Sequence, residues 1–262
     1  MRRLIVSGAI ALAAFSAGAG AIALAAGTEV PLPKRHWHFQ GPFGTYDRAA
    51  AQRGYQVYAE VCAACHSLSL VAYRNLMDLG LTENQVKGLI KDIVVPDLND
   101  DGQPIERPAR LSDRFRKPFP NQLAAAAANN GKAPPDLSVI VKAREGGADY
   151  MYALLTGYVP FDKLTPAVVK EFSVNKDDNF NTYFAGHKIA MAPPLADDKV
   201  TYVDGTKSTL SQQASDVSEF LAWASEPWME DRKRTGVRVI LFLLALAGLM
   251  YAVKRQVWAD KH

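Results

Sequence analysis

The chain has 262 residues, of which 48% are hydrophobic and 22% are charged, so it is long enough for one sizeable folded domain with extra segments at its ends. Residues 26–225 contain 21 Lys and Arg and 23 Asp and Glu, a net charge of −2, whereas the whole chain carries +3. The basic excess therefore belongs to the ends. Because no basic stripe marks the folded part, we predict that the protein does not bind nucleic acid.

The N-terminal segment is typical of an export signal. Arg2 and Arg3 precede an apolar stretch of small residues that ends in the A-x-A pattern Ala23-Leu24-Ala25. We therefore predict a cleavable signal at residues 1–25. A permanent N-terminal anchor is the alternative, although the many Ala and Gly residues make the stretch only weakly apolar.

Two helices of the folded part can be predicted from apolar periodicity. The first runs from Tyr46 to Val61 and includes Gly54 on its apolar side. The second begins near Thr209, which has Gln212 at capping-box spacing, and stops before Pro227. The two helices can cross at Gly54, where the missing side chain would allow a close approach of their backbones; two unrelated core helices are the alternative. The turn-rich stretch between them predicts irregular structure and short helices.

The only two cysteines of the chain stand in Cys62-Ala63-Ala64-Cys65-His66, the C-x-x-C-H pattern of c-type haem attachment. On one helical turn, positions i and i+3 face the same way. Both sulfurs can then form thioethers with the haem vinyl groups while the His66 imidazole reaches the iron. We predict one covalent haem c. Because such haem is attached outside the cytoplasm, this prediction agrees with the export signal and places the domain in the periplasm.

Other uses of the two cysteines fit less well. A structural zinc site needs four ligands, and there is no second cysteine pair. Besides His66, the histidines are His36, His38, His187 and His262. A thioredoxin-like C-x-x-C would need a βαβ setting, and a disulfide would give no reason for the adjoining His66.

An electron carrier needs a sixth iron ligand, and methionine is a common one. Outside both ends of the chain, the candidates are Met77, Met151 and Met191. Met191 is favoured because Pro193 and Pro194 stiffen its loop. Met151 looks like a core residue of a helix face.

A membrane-spanning helix is predicted at the C-terminus, where residues 239–253 carry no charge. Basic residues flank this run and can snorkel to the membrane surface; they are Arg232, Lys233, Arg234, Arg238, Lys254 and Arg255. We predict a periplasmic domain at residues 26–228, followed at 229–262 by an anchor in the lipid of a bacterial cytoplasmic membrane and a short cytoplasmic tail. A buried helix is the alternative.

A series of short motifs between Gly41 and Lys254 resembles the cytochrome c1 family. They are Arg53-Gly54-Tyr55-Gln56-Val57-Tyr58, Val71-Ala72-Tyr73-Arg74, Asn129-Asn130-Gly131, Pro134-Pro135-Asp136-Leu137-Ser138, Lys142-Ala143-Arg144 with Gly146-Gly147-Ala148-Asp149-Tyr150, Leu155-Thr156-Gly157-Tyr158, Ile189-Ala190-Met191-Ala192-Pro193-Pro194 and Trp223-Ala224-Ser225-Glu226-Pro227. The ordered set is far more specific than the C-x-x-C-H pattern alone.

The resemblance implies a mainly α, class I cytochrome c fold enlarged by irregular insertions, with one C-terminal transmembrane helix. It also implies an electron-transfer subunit of ubiquinol:cytochrome c reductase, the cytochrome bc1 complex. Such a subunit lies beside cytochrome b, accepts electrons from a Rieske iron–sulfur protein and passes them to a soluble cytochrome c. The alternatives are a haem subunit of another membrane oxidase, or a free-standing haem enzyme or ligand sensor.

Site residues also follow from the resemblance. His66 and Met191 are the implied axial ligands, and Cys62 and Cys65 bind the haem covalently. The remaining implied haem-binding residues are Arg144, which would pair with a propionate, Tyr150, Pro135 and Asn129. An acidic docking patch for the soluble cytochrome is expected at Asp97, Asp100, Asp101 and Glu106, although this stretch is thin in acids compared with some members. There is also no second cysteine pair to brace the ligand loop.

Overall fold

Helices make up most of the regular structure between residues 30 and 259, the part of the chain that the computed structural model describes. In chain order they are α1 (Arg48–Glu60), α2 (Glu83–Ile90), α3 (Gln122–Ala128), α4 (Ile140–Ala143), α5 (Gly147–Thr156), α6 (Pro166–Glu171), α7 (Leu210–Ser225) and α8 (Met229–Val257), with short 3-10 turns at Cys62–Ala64, Tyr73–Leu79 and Phe161–Lys163. The mainly α prediction is confirmed. The predicted export signal lies outside the described residues.

Two small antiparallel hairpins complete the regular structure of this part. Strand β1 (Val94–Leu98) pairs with β2 (Pro104–Pro108), with Pro96 opposite Glu106, and strand β3 (Asn179–Phe180) pairs with β4 (Lys188–Ile189). Both hairpins fall in the turn-rich region, so the expectation of irregular structure there is confirmed apart from these short ladders.

The crossing of α1 and α7 organises the core, as the sequence predicted. Helix α1 begins where the Asp47 carboxylate accepts a hydrogen bond from the backbone N–H of Ala50, and α7 begins where the Thr209 hydroxyl accepts one from Gln212. At Gly54 an added Cβ would lie 2.0 Å from the carbonyl oxygen of Asp216. Only glycine permits this distance, since any side chain would force the helices apart.

Two buried carboxylates of α7 face α1 in different ways. Asp216 accepts a two-pronged hydrogen bond from the Arg53 guanidinium, with N···O distances of 2.9 and 3.0 Å. Glu219 instead accepts the backbone N–H of Asp47 at 2.9 Å. Burial raises the pKa of Glu219 to about 7, and the nearby Asp47 and Asp216 charges add to the effect. The Glu219 carboxyl is therefore held in its neutral form more readily than an ordinary glutamate.

Aromatic side chains fill the space beside the crossing. Phe115 stacks on Tyr73 with ring centroids 4.7 Å apart, and it meets Tyr58 edge-on at 5.9 Å. Tyr55 and Tyr58 both contact Phe220 of α7. This packing fixes the C-terminal half of α1, and so it fixes the position of Cys62, which follows directly.

The hairpin β1–β2 contains the acids that were expected to form a docking patch. Asp97 is not a free charge, because the Arg107 guanidinium pairs with both Asp97 and Asp113. Asp100 and Asp101 lie in the exposed turn of the hairpin, and Glu106 is exposed on β2. Among the described residues, the other three acids of the expected patch form no ion pair. The docking role of the patch remains a prediction.

Helix α8 follows α7 after a junction of only three residues, 226–228. The Glu226 carboxylate pairs with Lys142 and Arg232, and its backbone carbonyl accepts a hydrogen bond from the Tyr46 hydroxyl at 3.0 Å. Among residues 30–259, α8 is the one helix long and apolar enough to cross a membrane, and none of its apolar part is buried. It therefore does not belong to the core of the domain, contrary to the buried-helix alternative.

Candidate haem site

The C-x-x-C-H motif forms one tight turn at the end of α1. The backbone N–H groups of Cys65 and His66 both donate to the carbonyl oxygen of Cys62, at 3.1 and 2.8 Å. The turn therefore holds both sulfurs and the imidazole within a single short segment. This is the arrangement that attachment of one macrocycle through two thioethers requires.

The orientation of His66 is fixed from outside the motif. Its Nδ1 lies 2.8 Å from the carbonyl oxygen of Pro135. Because a carbonyl can only accept, Nδ1 carries the proton, and Nε2 keeps its lone pair for a metal. Burial lowers the pKa of His66, although the Pro135 carbonyl opposes this shift. The imidazole is therefore neutral, as a ligand must be.

A second set of hydrogen bonds joins the segment after His66 to the segment that carries Pro135. The Asp136 carboxylate accepts from the Ser67 hydroxyl at 2.7 Å and from the backbone N–H groups of Ser69 and Ser138 at 2.9 and 2.8 Å. Burial alone would raise the pKa of Asp136, but its bonds from Ser138, Ser69 and Ser67 hold it well below its usual range. The two segments are thereby locked together around the imidazole.

The protonation of Cys62 argues against a redox-active dithiol. Burial raises the pKa of the Cys62 thiol to about 12, whereas a nucleophilic cysteine of a C-x-x-C motif has a lowered pKa. The zinc alternative also fails within the described residues, which contain no cluster of three or more His, Cys, Asp or Glu side chains that could hold a metal ion. The chemistry of the motif therefore fits thioether attachment of haem.

The three candidate methionines lie in different surroundings. Met151 is buried on α5, and Met77 is partly exposed on the 3-10 turn Tyr73–Leu79. Met191 lies half-buried in the loop after β4, where its carbonyl oxygen accepts a hydrogen bond from the Tyr158 hydroxyl at 3.1 Å. Ligation by Met191 remains a prediction.

Arg144 and Tyr150 lie on either side of the sharp turn at which α4 ends and α5 begins. Gly146 and Gly147 both have positive φ, +82° and +55°, which reverses the chain. Burial raises the pKa of Tyr150, and the positive charge of Arg144 partly opposes this shift. Arg144 is exposed and forms no ion pair with any carboxylate in the described part of the chain. Its charge is available to a ligand.

Pro135 and Asn129 differ in their relation to the site. Pro135 contacts His66 through its backbone carbonyl, so its contribution does not depend on a side chain. Asn129 lies at the end of α3, where its amide donates to the carbonyl oxygen of Ala125 at 2.8 Å. This hydrogen bond is local to the helix end, and a haem-binding role for Asn129 remains a prediction.

Sequence reasoning missed three residues that support the site. Asp136 and Tyr158 were seen only as members of motifs, and the Tyr58 hydroxyl donates to the carbonyl oxygen of His66 at 3.1 Å. Asp136, two residues before Ser138, had a usable pattern, because aspartate often accepts the backbone N–H two residues on. The two tyrosine hydroxyls bond to distant backbone carbonyls, which no local pattern could reveal.

Comparison with known proteins gives a consistent result. A family model described as the cytochrome C1 family matches residues 37–261. The chain is 44% identical over 269 residues to cytochrome c1 of Rhodospirillum rubrum, covering 98% of this chain and 99% of that one. It is 48% identical over 227 residues to the "cytochrome b-c1 complex catalytic subunit, mitochondrial" of Candida albicans, covering 86% of this chain and 77% of that one.

A third relative is longer than this chain. Cytochrome b/c1 of Bradyrhizobium diazoefficiens is 45% identical over 258 residues, which are 90% of this chain but only 36% of that protein. The chain thus spans about a third of the length of this relative and nearly the whole of the Rhodospirillum one. With the family match across most of the sequence and the haem-type geometry at Cys62, Cys65 and His66, the chain belongs to the cytochrome c1 family, electron-transfer haem proteins of the bc1 complex.

Proposed function

We propose that this protein binds one covalent haem c through Cys62 and Cys65, with His66 and Met191 as the axial ligands. The observation that carries this proposal is the 2.8 Å contact between His66 Nδ1 and the Pro135 carbonyl, which leaves Nε2 for iron. When bound, haem supplies reversible one-electron chemistry. The chain's own part is to hold the imidazole neutral and oriented, and to offer Arg144 to a propionate.

Within the bc1 complex, the protein accepts electrons from a Rieske iron–sulfur protein and passes them to a soluble cytochrome c. Support comes from the names of two relatives: the Candida protein is a subunit of the cytochrome b-c1 complex, and the Bradyrhizobium protein is a cytochrome b/c1. Both make cytochrome b the expected neighbour. The exposed acids of the β1–β2 turn are the expected docking charges for a basic soluble partner.

The protein is anchored in the bacterial cytoplasmic membrane by α8, with its haem domain on the periplasmic side. Residues 1–25 are the cleaved export signal, residues 26–228 the haem domain, and residues 229–262 the anchor with a short cytoplasmic tail. The exposed apolar surface of α8 supports the anchor. Periplasmic attachment of haem c supports the orientation.

The test is mild detergent extraction of the full-length protein, followed by identification of its co-purifying subunits and by haem staining after denaturing electrophoresis. We expect haem to stay with the wild-type chain, and Cys62→Ala or Cys65→Ala to impair attachment. Leu123→Ala, at a highly exposed position on α3, is the matched control. A stained band that is unaffected by either cysteine change would contradict covalent attachment.

Co-purification separates the electron-transfer role from the alternatives. Cytochrome b and an iron–sulfur protein are expected, whereas oxidase subunits would indicate another membrane oxidase. Carbon monoxide supplies a second test, because a ligated Met191 leaves no open iron position. Rapid binding of carbon monoxide to the reduced protein would favour a haem enzyme or ligand sensor.

A further inference from the structure

The loop between Trp37 and Tyr46 is fixed at both ends by contacts with the rest of the domain. The Trp37 indole N–H donates to the buried Asp149 carboxylate at 2.7 Å, and the Tyr46 hydroxyl donates to the backbone carbonyls of Ala222 and Glu226. Phe39 lies between the two anchoring rings, with centroids 5.8 Å from Trp37 and 5.5 Å from Tyr46. Both ends of the loop are therefore fixed.

The tip of this loop, residues 41–44, presents one aromatic side chain to the outside. Gly41 has a φ of +76°, and the backbone N–H of Thr45 donates to the carbonyl oxygen of His38 at 3.1 Å, which closes the loop. Phe43 is 80% exposed. No residue from 39 to 46 is charged. One exposed phenylalanine is unremarkable by itself, so the position of the tip decides what it means.

The tip is tied to the first turns of the membrane helix α8. The Lys233 ammonium donates to the carbonyl oxygens of Phe39 and Gly44, at 2.6 and 3.0 Å. The Glu230 carboxylate accepts the backbone N–H of Tyr46 at 2.9 Å. Gly44, which follows Phe43 in the chain, is therefore held next to Lys233, so the tip lies at a defined height along α8.

That height can be compared with the thickness of a bilayer. The uncharged run of α8, residues 239–253, spans about 22 Å at 1.5 Å per residue. A hydrocarbon core of about 30 Å must extend beyond it, by about 4 Å at each end if the extension is shared equally. Lys233 then lies about 5 Å outside the hydrocarbon, within the layer of lipid headgroups, which is roughly 5–7 Å thick on each side.

We propose that the tip of this loop is a second membrane contact, in which Phe43 enters the lipid headgroup layer beside α8. This inference rests on the proposed role of α8 as a membrane anchor. Phenylalanine is among the apolar residues that interfacial segments bury at the boundary between headgroups and acyl chains, and the uncharged tip can enter this layer without desolvating a charge. The haem domain would then touch the bilayer at two points, at the helix and at the loop.

Because the proposed haem occupies both native cysteines of this chain, an introduced cysteine is the only free thiol of this subunit, and mass spectrometry of the isolated subunit separates its label from any on its partners. Phe43→Cys is labelled with a maleimide-linked benzophenone in the complex, reconstituted in phospholipid nanodiscs. After irradiation, mass spectrometry of the subunit detects attached phospholipid. Leu244→Cys, in the middle of α8, is the positive control. Val203→Cys is the negative control. Val203 is 96% exposed and precedes α7, whose 16 residues place its start about 24 Å from the junction with α8.

We expect lipid adducts at positions 43 and 244, with the yield at position 43 several-fold above that at position 203. Adducts at 244 but only background at 43 would overturn the second contact while leaving the anchor intact. A position 43 label that attaches to another subunit instead of lipid would also overturn it, because a protein would then cover the tip. Absence of lipid at position 244 would contradict the proposed anchor itself.

Discussion

His66 and Met191, the two proposed iron ligands, lie in segments that the protein holds in different ways. His66 is oriented by the Pro135 carbonyl, and the Asp136 carboxylate joins the flanking segments through its hydrogen bonds from Ser67 and Ser69, with a third, local bond from Ser138. From residue 190 to residue 195, the described part of the chain supplies a single hydrogen bond, from the Tyr158 hydroxyl to the Met191 carbonyl. The loop ends at Leu195, which is buried in the core.

Because the two segments are held differently, substitutions near the two proposed ligands should affect the stability of the domain to different extents. The histidine side belongs to the folded framework, so damage there should reduce both stability and haem binding. The methionine side is a loop placed over the site, so damage there should alter the iron without unfolding the domain. Four predictions follow this contrast, from the largest effect to the smallest.

Asp136→Ala should be the most damaging change, because it removes the acceptor of three hydrogen bonds at once. Hydrogen bonds to a charged group contribute about 1.5–3 kcal/mol each, and they are not additive, so we expect a loss of about 2–4 kcal/mol in the free energy of unfolding. Denaturant unfolding of the detergent-solubilised holoprotein, followed by haem absorbance, measures it. Asp177→Ala, at an exposed position, is the control. Equal stability of the two variants would remove the contrast between the segments.

Met191→Leu should change the iron far more than the fold. The substitution conserves volume, so stability should fall by less than about 1.5 kcal/mol, but loss of the thioether should lower the reduction potential. Potentiometric titration and the haem spectrum report the change. Met151→Leu is the matched control, since Met151 is buried on α5, and it should leave the potential unchanged. A lowered potential in Met151→Leu with a normal one in Met191→Leu would exchange their roles.

Tyr158→Phe should loosen the methionine loop without removing the ligand. It deletes one neutral hydrogen bond, worth about 1 kcal/mol, so we expect a stability loss of that size and faster entry of carbon monoxide into the reduced haem. Tyr183→Phe serves as the control, because no hydrogen bond involves the Tyr183 hydroxyl within the described residues. If both variants behave like the wild type, the loop is held by packing or by the haem alone.

The smallest effect on the haem iron is expected at Glu219, in the helix crossing outside both ligand segments. Its folded-state pKa of about 7 lies above its ordinary value of 4.5, so the folded state binds more protons between these values. Stability should therefore fall as pH rises from about 4.5 to 7. Glu219→Gln keeps an acceptor for the Asp47 N–H and should flatten this dependence, whereas Glu171→Gln should not. Unfolding curves across this pH range that coincide for wild type and Glu219→Gln would contradict the shift.

The sequence predicted the framework better than the contacts around the site. Both crossing helices, the close approach at Gly54 and the apolar helix α8 follow from periodicity, capping residues and composition, which are local properties. The Pro135 carbonyl is different, because its contact with His66 joins residues 69 positions apart and involves a backbone atom that every residue possesses. The family resemblance named Pro135 as a haem-binding residue but gave no indication of this contact with His66. Asp97 was likewise counted as a docking charge, since its partner Arg107 lies across the hairpin.

The three-residue junction between α7 and α8 has a consequence for encounters in the membrane. Glu226, which follows α7 directly, contacts the loop before α1 through its carbonyl, and α4 and the start of α8 through its ion pairs with Lys142 and Arg232. The junction is therefore a rigid connection and not a flexible linker. A flexible linker lets a domain sample many positions, and the effective concentration of a tethered site falls as the sampled volume grows. With the proposed anchor and haem, a rigid junction would keep the haem at one height and in one orientation above the bilayer. The proposed electron donor and acceptor would then have to move to come within tunnelling range of it.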